Sequence, residues 1–150
     1  MTDPTTEALR ELAATYASGV DRRDVALVER VFAEDAALIV RGRTGRRPDP
    51  ERRLDGRAAI GKIAELIARY DLTFHFLGQS RYEIGDDTAI GEVYCEAHHL
   101  LVDDDGAGTD HILYIRYRDD YRVDLDGVWR IATRIVEVDW SEDRVLDPAT

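Results

Sequence analysis

Two residues with acid–base chemistry stand where their local sequence does not favour them. His75 lies in the apolar segment 72–77, so its imidazole needs a polar partner once it is buried. An imidazole exchanges protons near neutral pH, which makes His75 a candidate general base. Asp21 follows Val20 at the predicted end of a helix, where a carboxylate opposes the helix dipole. A structural histidine and a solvated turn aspartate are the alternatives that these residues alone leave open.

Arg134 is a cation on a strand rich in Ile and Val, where a buried guanidinium needs an acid or an anionic ligand. If Asp126-Gly127 is a two-residue turn that pairs Leu125 with Val128, Asp119 lies opposite Arg134 on the same face. A salt bridge to Asp119 therefore explains Arg134 as well as a substrate role does. Three tyrosines could be either core aromatics or phenolic donors: Tyr16, Tyr94 and Tyr117.

Several other chemistries lack the residues they need. The segment 56–63 nearly matches a phosphate-binding loop, but no Ser or Thr follows Lys62. His98 and His99 are adjacent on a predicted strand and point to opposite faces, so they cannot chelate one ion together. Cys95 is the single cysteine, which excludes an intrachain disulfide and cysteine metal clusters. We therefore expect no metal and no cofactor.

Composition limits the partners. The chain has 150 residues, 44% of them hydrophobic, which suits one soluble domain. Its formal net charge of −11 argues against a nucleic acid or an anionic membrane surface as the main partner. No apolar run approaches the ~20 residues that span a bilayer, and no signal peptide is visible at the start. We expect a cytoplasmic protein that handles a small molecule.

Hydrophobic periodicity predicts helices first and strands afterwards. Amphipathic helices are predicted at 5–20, 25–32 and 57–70, and strands at 36–40, 72–84, 88–102, 109–123 and 128–140. The segment 41–57 holds seven arginines and is predicted to be a mobile basic loop or an open hairpin. Four long strands in succession imply an antiparallel meander, one face of which the three helices must cover.

The predicted architecture is an α+β fold with a strongly curved sheet around the first helix and a pocket at its open end. The hairpin register places Arg134 and Asp119 on the inner face. It places Trp129, Ile131 and Ile135 on the outer face, which would then be apolar enough to serve as a subunit interface.

Three segments together resemble a known family. Residues 16–36, 54–60 and 117–134 are similar to the opening, third helix and closing hairpin of the SnoaL-like branch of the nuclear transport factor 2-like superfamily. Within it, the chain most resembles the scytalone dehydratase, bile-acid dehydratase and hexachlorocyclohexane dehydrochlorinase types. The resemblance spans almost the whole chain and implies one SnoaL-like domain over 1–150, a cone-shaped α+β barrel of the cystatin-like kind.

The resemblance also implies roles for residues of this chain. In dehydratase-like members an aspartate at the end of the first helix orients a histidine on the strand after the third helix, and these positions match Asp21 and His75. A tyrosine that precedes the aspartate matches Tyr16, and an arginine on the last strand matches Arg134. A second pocket histidine matches either His98 or His99.

From these matches we expect the catalytic residues to be His75, Asp21, Tyr16 and Arg134. The expected substrate-binding residues are Tyr94, His98, Tyr117 and Asp119. The lysine that precedes the helix-end aspartate in the dehydrochlorinase has no counterpart, which argues against dehalogenation.

The function that these expectations favour is a cofactor-independent lyase. It would be a dehydratase, or a related cyclase or isomerase, acting on a small, apolar, cyclic or polyketide-like molecule with a His–Asp general base. A non-catalytic small-molecule binding or dimerisation module is the main alternative, and an enzyme like an epoxide hydrolase is a further one. A homo-oligomer, either a trimer or a dimer, is expected.

Overall fold

The computed structural model describes residue 1, residues 3–42 and residues 50–147, and it has the predicted α+β architecture. The helices are α1 (Pro4–Asp21), α2 (Val25–Arg30), α3 (Arg57–Gly61) and α4 (Ile63–Leu66). The strands are β1 (Phe32–Gly42), β2 (Arg52–Asp55), β3 (Leu72–Ile84), β4 (Thr88–Val102), β5 (Gly108–Val123) and β6 (Trp129–Leu146).

Six strands form one sheet in the order β2-β1-β6-β5-β4-β3. Strands β3 to β6 are the predicted antiparallel meander, whereas β1 joins the sheet parallel to β6. Strand β2 pairs antiparallel with β1. Of the two predictions for the basic segment 41–57, a mobile loop or an open hairpin, the hairpin is therefore correct at 52–55. Residues 43–49 of that segment lie outside the described residues.

Helix α1 packs on the inner face of this sheet and supplies much of the core. It begins where predicted, because Asp3 caps it by accepting a hydrogen bond from the Thr6 backbone N–H at 2.9 Å. Its buried side is formed by Leu9, Ala13, Tyr16, Ala17 and Val20. The helix continues past Gly19 to Asp21 and stops where Arg23 adopts a left-handed conformation (φ 55°).

The third predicted helix is shorter than expected and divided. Instead of one helix over 57–70, α3 ends at Gly61 and α4 at Leu66, with Lys62 (φ −67°, ψ −9°) between them. A glycine inside a helix weakens it. The segment after Leu66 forms turns up to the start of β3. Arg23 stabilises the end of this segment by donating hydrogen bonds to the carbonyls of Tyr70 and Asp71.

The β5–β6 hairpin reaches the predicted pairing by a different route. Its turn contains three residues, not two, because the Asp124 N–H donates to the Val128 carbonyl at 3.0 Å and Gly127 takes a positive φ of 77°. The expected pairing of Leu125 with Val128 is therefore wrong. Further along β6, Ala132 forms a bulge and has no partner on β5, which shifts the later pairs by one residue into the predicted register.

Beyond the bulge, Asp119 lies opposite Arg134, Tyr117 opposite Val136 and Ile115 opposite Val138, as predicted.

The bulge overturns the prediction for the outer face near the turn. Before it, Tyr121 pairs with Ile131, so Ile131 faces inward and is fully buried. Trp129 likewise packs against the core. Only Ile135 stays on the outer face, beside Arg118. The predicted apolar patch of Trp129, Ile131 and Ile135 is therefore absent, and with it the reason given for a subunit interface there.

Candidate active site

Asp21 and His75 lie in direct contact at the end of α1. The Asp21 Oδ1 atom is 2.6 Å from His75 Nδ1, and Asp21 Oδ2 accepts the His75 backbone N–H at 2.9 Å. Thr73 Oγ1 donates to Asp21 Oδ1 at 3.0 Å. These hydrogen bonds offset the unfavourable position of a carboxylate at a helix C-terminus.

Strand alternation explains why Thr73 and His75 meet the same carboxylate. Residues two apart on β3 share a face, so both side chains point inward toward α1. His75 stands out in the sequence, whereas Thr73 does not. The signal was available, because a hydroxyl two residues before a buried histidine on a strand lies on the same face.

The protonation states follow from these contacts. Burial acts to raise the pKa of Asp21, but the hydrogen bonds from His75 and Thr73 outweigh it, so the net pKa is below the usual 3.8. An ionised carboxylate only accepts, so His75 carries its proton on Nδ1 and presents the Nε2 lone pair. Within the described residues Nε2 has no hydrogen-bond partner, so it is free to accept a proton.

The second inward imidazole is His99. Its ring centroid is 5.8 Å from that of His75, and its Nδ1 is 3.1 Å from the His111 carbonyl oxygen. Because a carbonyl can only accept, His99 also carries its proton on Nδ1. Burial lowers the pKa of His99, which is therefore neutral at pH 7.

His98 points to the other face of the sheet. Its Nδ1 is 2.6 Å from Asp110 Oδ2 and its Nε2 is 3.1 Å from Glu96 Oε1. The expectation that His98 contacts substrate beside His75 does not agree with this placement, because neighbouring strand residues alternate between faces. Of the two histidines that the sequence left open, His99 is the one near His75.

Tyr94 is also on the outer face. It pairs with Arg116, whose guanidinium lies 4.9 Å from the Tyr94 ring centroid. Tyr94, which is expected among the substrate-binding residues, therefore lies on the opposite side of the sheet from His75.

Arg134 and Asp119 form the predicted salt bridge in the centre of the inner face. The pair is bidentate, with Nε–Oδ1 at 2.8 Å and Nη2–Oδ2 at 2.6 Å, and both side chains are 0% exposed. Tyr121 donates a further hydrogen bond to Asp119 at 2.7 Å. The Arg134 Nη1 group is buried and has no hydrogen-bond partner within the described part of the chain.

Two tyrosines enclose this guanidinium. The Arg134 Cζ atom is 4.5 Å from the ring centroid of Tyr16 and 4.2 Å from that of Tyr117. Burial raises the pKa of Tyr16 to about 12, so its phenol stays protonated and can act as a donor. Tyr117 donates to Cys95 Sγ at 3.6 Å. Cys95 lies on β4 opposite Leu77, two positions from His75, so it stands between the arginine cluster and the Asp21–His75 pair.

Two grooves on the described residues lie away from the Asp21–His75 pair, and neither residue lines them. One, of about 540 Å³, lies near the β3–β4 turn and includes Glu83, Ile90 and Arg122. The other, of about 320 Å³, lies on the outer face between Tyr94 and Trp140. Among the described residues no group of three or more His, Cys, Asp or Glu side chains could hold a metal ion. In the same part of the chain, none of the helices has the length and apolar character of a membrane span.

Comparison with known proteins identifies the family to which this chain belongs. The model of the SnoaL-like domain family matches residues 4–135, so the chain belongs to that family. An uncharacterized protein of Mycobacterium tuberculosis is 27% identical over 131 residues, which cover 85% of this chain and 80% of the relative.

Two solved structures show the same fold at low sequence identity. A candidate scytalone dehydratase from Novosphingobium aromaticivorans has 19% identity and a TM-score of 0.71, covering 97% of this chain and 91% of its own. A hexachlorocyclohexane dehydrochlorinase from Novosphingobium barchaimii has 17% identity and a TM-score of 0.75, covering 93% and 90%. The predicted fold family is therefore confirmed.

Proposed function

We propose that this chain is a cofactor-independent lyase, a dehydratase or a related cyclase or isomerase, that uses the Asp21–His75 pair as its general base. The observation that carries the proposal is the 2.6 Å contact between Asp21 Oδ1 and His75 Nδ1, which leaves His75 Nε2 as a lone pair on the inner face. The dehydratase and dehydrochlorinase among its structural neighbours support elimination chemistry as the reaction class.

The step at the base is a proton abstraction next to a carbonyl. His75 Nε2 takes the proton as the C–H bond breaks, and the electron pair forms the new double bond as the C–O bond to the hydroxyl breaks. The hydroxyl leaves as water after receiving a proton from the Tyr16 phenol, which burial keeps protonated. Asp21 fixes the tautomer of His75 and stabilises the imidazolium that forms.

The protonated phenol of Tyr16 and the unpartnered Nη1 of Arg134 are the groups that would polarise the substrate oxygen. Because Asp119 neutralises Arg134, the described inner face offers no unpaired cation for an anionic substrate. We therefore propose a small, uncharged, mostly apolar cyclic or polyketide-like substrate. Asp119 and Tyr117 would then act on it through Arg134 and not by direct contact.

One observation favours a non-catalytic binding module as the second candidate. Arg134 and Asp119 are fully buried and form a bidentate ion pair, with the rings of Tyr16 and Tyr117 packed around them, as in an inert core. The epoxide hydrolase alternative has less support, because Asp21 pairs with His75 and Asp119 with Arg134 in two separate clusters.

The test is turnover of a panel of cyclic β-hydroxy ketones, followed by the ultraviolet absorbance of the conjugated enone product. The wild-type chain should form enone, and His75→Gln should reduce the rate by about 10²–10⁴-fold. His98→Gln is the matched control, since it removes an imidazole from the other face of the sheet and should leave the rate unchanged. Binding of panel members without turnover would instead support the binding module.

A further inference from the structure

A third imidazole extends the row that starts at His75. His111 is the register partner of His99 across β4 and β5, and their ring centroids are 6.3 Å apart. Its Nδ1 is 2.5 Å from Asp143 Oδ1, and Asp143 is its register partner on β6. This His–Asp contact repeats, at the edge of the inner face, the contact made by His75 and Asp21.

The three rings share one arrangement. Each has its Nδ1 against an oxygen acceptor, which is Asp21 for His75, the His111 carbonyl for His99 and Asp143 for His111. Each therefore has Nε2 as the atom at which it takes and releases a proton. The ring centroids are 5.8 and 6.3 Å apart, so neighbouring rings are too far apart to hydrogen-bond directly. A water molecule between two neighbouring rings could bridge them.

The row leads from two buried rings, His75 and His99, to an exposed one. The side chain of His75 is 7% exposed, whereas that of His111 is 39% exposed and that of Asp143 is 69% exposed. His99 lies between them with its burial-lowered pKa, so it can carry a proton briefly without retaining it. The row thus connects a buried base to a ring that bulk water reaches.

We propose that His111, positioned by Asp143, is the solvent end of a proton path that runs through His99 to His75. The inference rests on the proposed function, in which Tyr16 protonates the departing hydroxyl and His75 Nε2 keeps the proton taken from carbon. That proton passes from His75 to His99, then to His111 and to water, while Tyr16 recovers a proton from solvent. Both the base and the acid are then ready for the next turnover.

The first test needs no substrate. The exchange rate between water and the Nε2–H of protonated His75 is measured by NMR in ¹⁵N-labelled protein at mildly acidic pH. His111→Gln should slow this exchange by about 10²-fold, the lower end of acid–base assistance, and added imidazole should restore it. His98→Gln is the control and should match the wild-type rate.

Asp143→Asn provides a second variant with an exposed side chain, should His111→Gln fail to fold. It should slow the exchange as well. The amide, unlike the carboxylate, does not hold the His111 ring with its proton on Nδ1 and its Nε2 free to accept one. The path is overturned if folded His111→Gln exchanges as fast as His98→Gln. It is equally overturned if Asp143→Asn does so.

The second test uses turnover and separates the two proposals. With a β-hydroxy ketone that the wild type converts, His111→Gln should lower kcat, leave KM unchanged and respond to added imidazole. If no panel member is converted, the proposed function fails, and the exchange measurement still decides whether the path exists. A kcat in His111→Gln equal to that of the wild type would show that the row does not serve catalysis.

Discussion

At the scale of single residues, the site combines positions that the sequence made visible with positions that it did not. Asp21 and His75 were visible because each breaks a local rule, one by its charge at a helix end and the other by its polarity in an apolar strand. Arg134 was visible for the same reason. His99 could not be chosen over His98 without the register of β4, since only the register determines which of two adjacent residues faces inward.

Asp21→Asn should remove most activity and also lower the free energy of unfolding. The amide keeps the shape but not the charge, so turnover should fall by about 10²–10⁴-fold. Stability should fall by about 1–3 kcal/mol at neutral pH, because the Thr73 hydroxyl and two His75 N–H groups lose an ionised acceptor.

The pH dependence of this stability loss has a defined sign. The folded pKa of Asp21 is below its ordinary 3.8, so its stabilisation is complete above 3.8 and is lost as pH falls through the lower folded value. Urea unfolding curves of wild type and Asp21→Asn should therefore converge in acid. A stability difference that grows toward low pH would contradict the ionised Asp21.

Removing one partner of the Arg134–Asp119 pair should lower the free energy of unfolding much more than replacing both partners with apolar residues. Arg134→Met or Asp119→Leu alone leaves a buried charge without its partner, and each should lower the free energy of unfolding by about 3–5 kcal/mol. The double variant should cost less than the sum, which a double-mutant cycle by urea unfolding measures. Additive losses would show that the two side chains do not interact.

At the scale of elements, the sequence predicted the limits of β3 and β4 correctly, because alternation and acidic turns define them. Strand β1 is longer at both ends than the predicted 36–40, and β6 continues to Leu146 instead of ending at residue 140. The third helix was overestimated, since helical periodicity over 57–70 does not reveal that Lys62 interrupts it. The β5–β6 register was predicted correctly beyond the bulge only because two errors cancelled: a turn that is one residue longer and an unforeseen bulge at Ala132.

Deletion of Ala132 tests whether the Arg134–Asp119 pairing depends on that bulge. Without this unpaired residue Thr133 follows Ile131 directly, so the ladder becomes regular. Arg134 then stays opposite Asp119 on the inner face. We expect the buried ion pair to survive and the free energy of unfolding to fall by less than the ~3 kcal/mol that loss of the pair would cost.

Deletion of Leu125 is the control: it shortens the chain equally but only converts the exposed three-residue turn into a two-residue Asp-Gly turn, so stability should change little. A loss well above ~3 kcal/mol on deletion of Ala132 alone would show that the bulge holds the pair together.

At the scale of the whole molecule, the expected homo-oligomer needs a different surface from the one first predicted. The outer face of β3 to β6 exposes Phe76 (62%) and Trp140 (54%), and Trp140 stacks on Tyr114 with ring centroids 4.2 Å apart. The charged groups beside them pair within the chain, as Arg116 does with Asp139. The surface therefore adds little net charge to a molecule of −11, which suits contact with a second copy more than with a basic partner.

We predict that this outer face joins the copies of a dimer or trimer. Light scattering at micromolar concentration should give the wild type two or three times the mass of one chain. The double variant Phe76→Glu, Trp140→Glu should have the mass of one chain, because carboxylates that would be buried without a partner oppose association. Leu125→Glu is the matched control, since it places the same charge on an exposed apolar residue at the β5–β6 turn, and it should keep the wild-type mass. A wild-type mass of one chain would refute the oligomer. An oligomer that survives the double variant would place its interface elsewhere on the molecule.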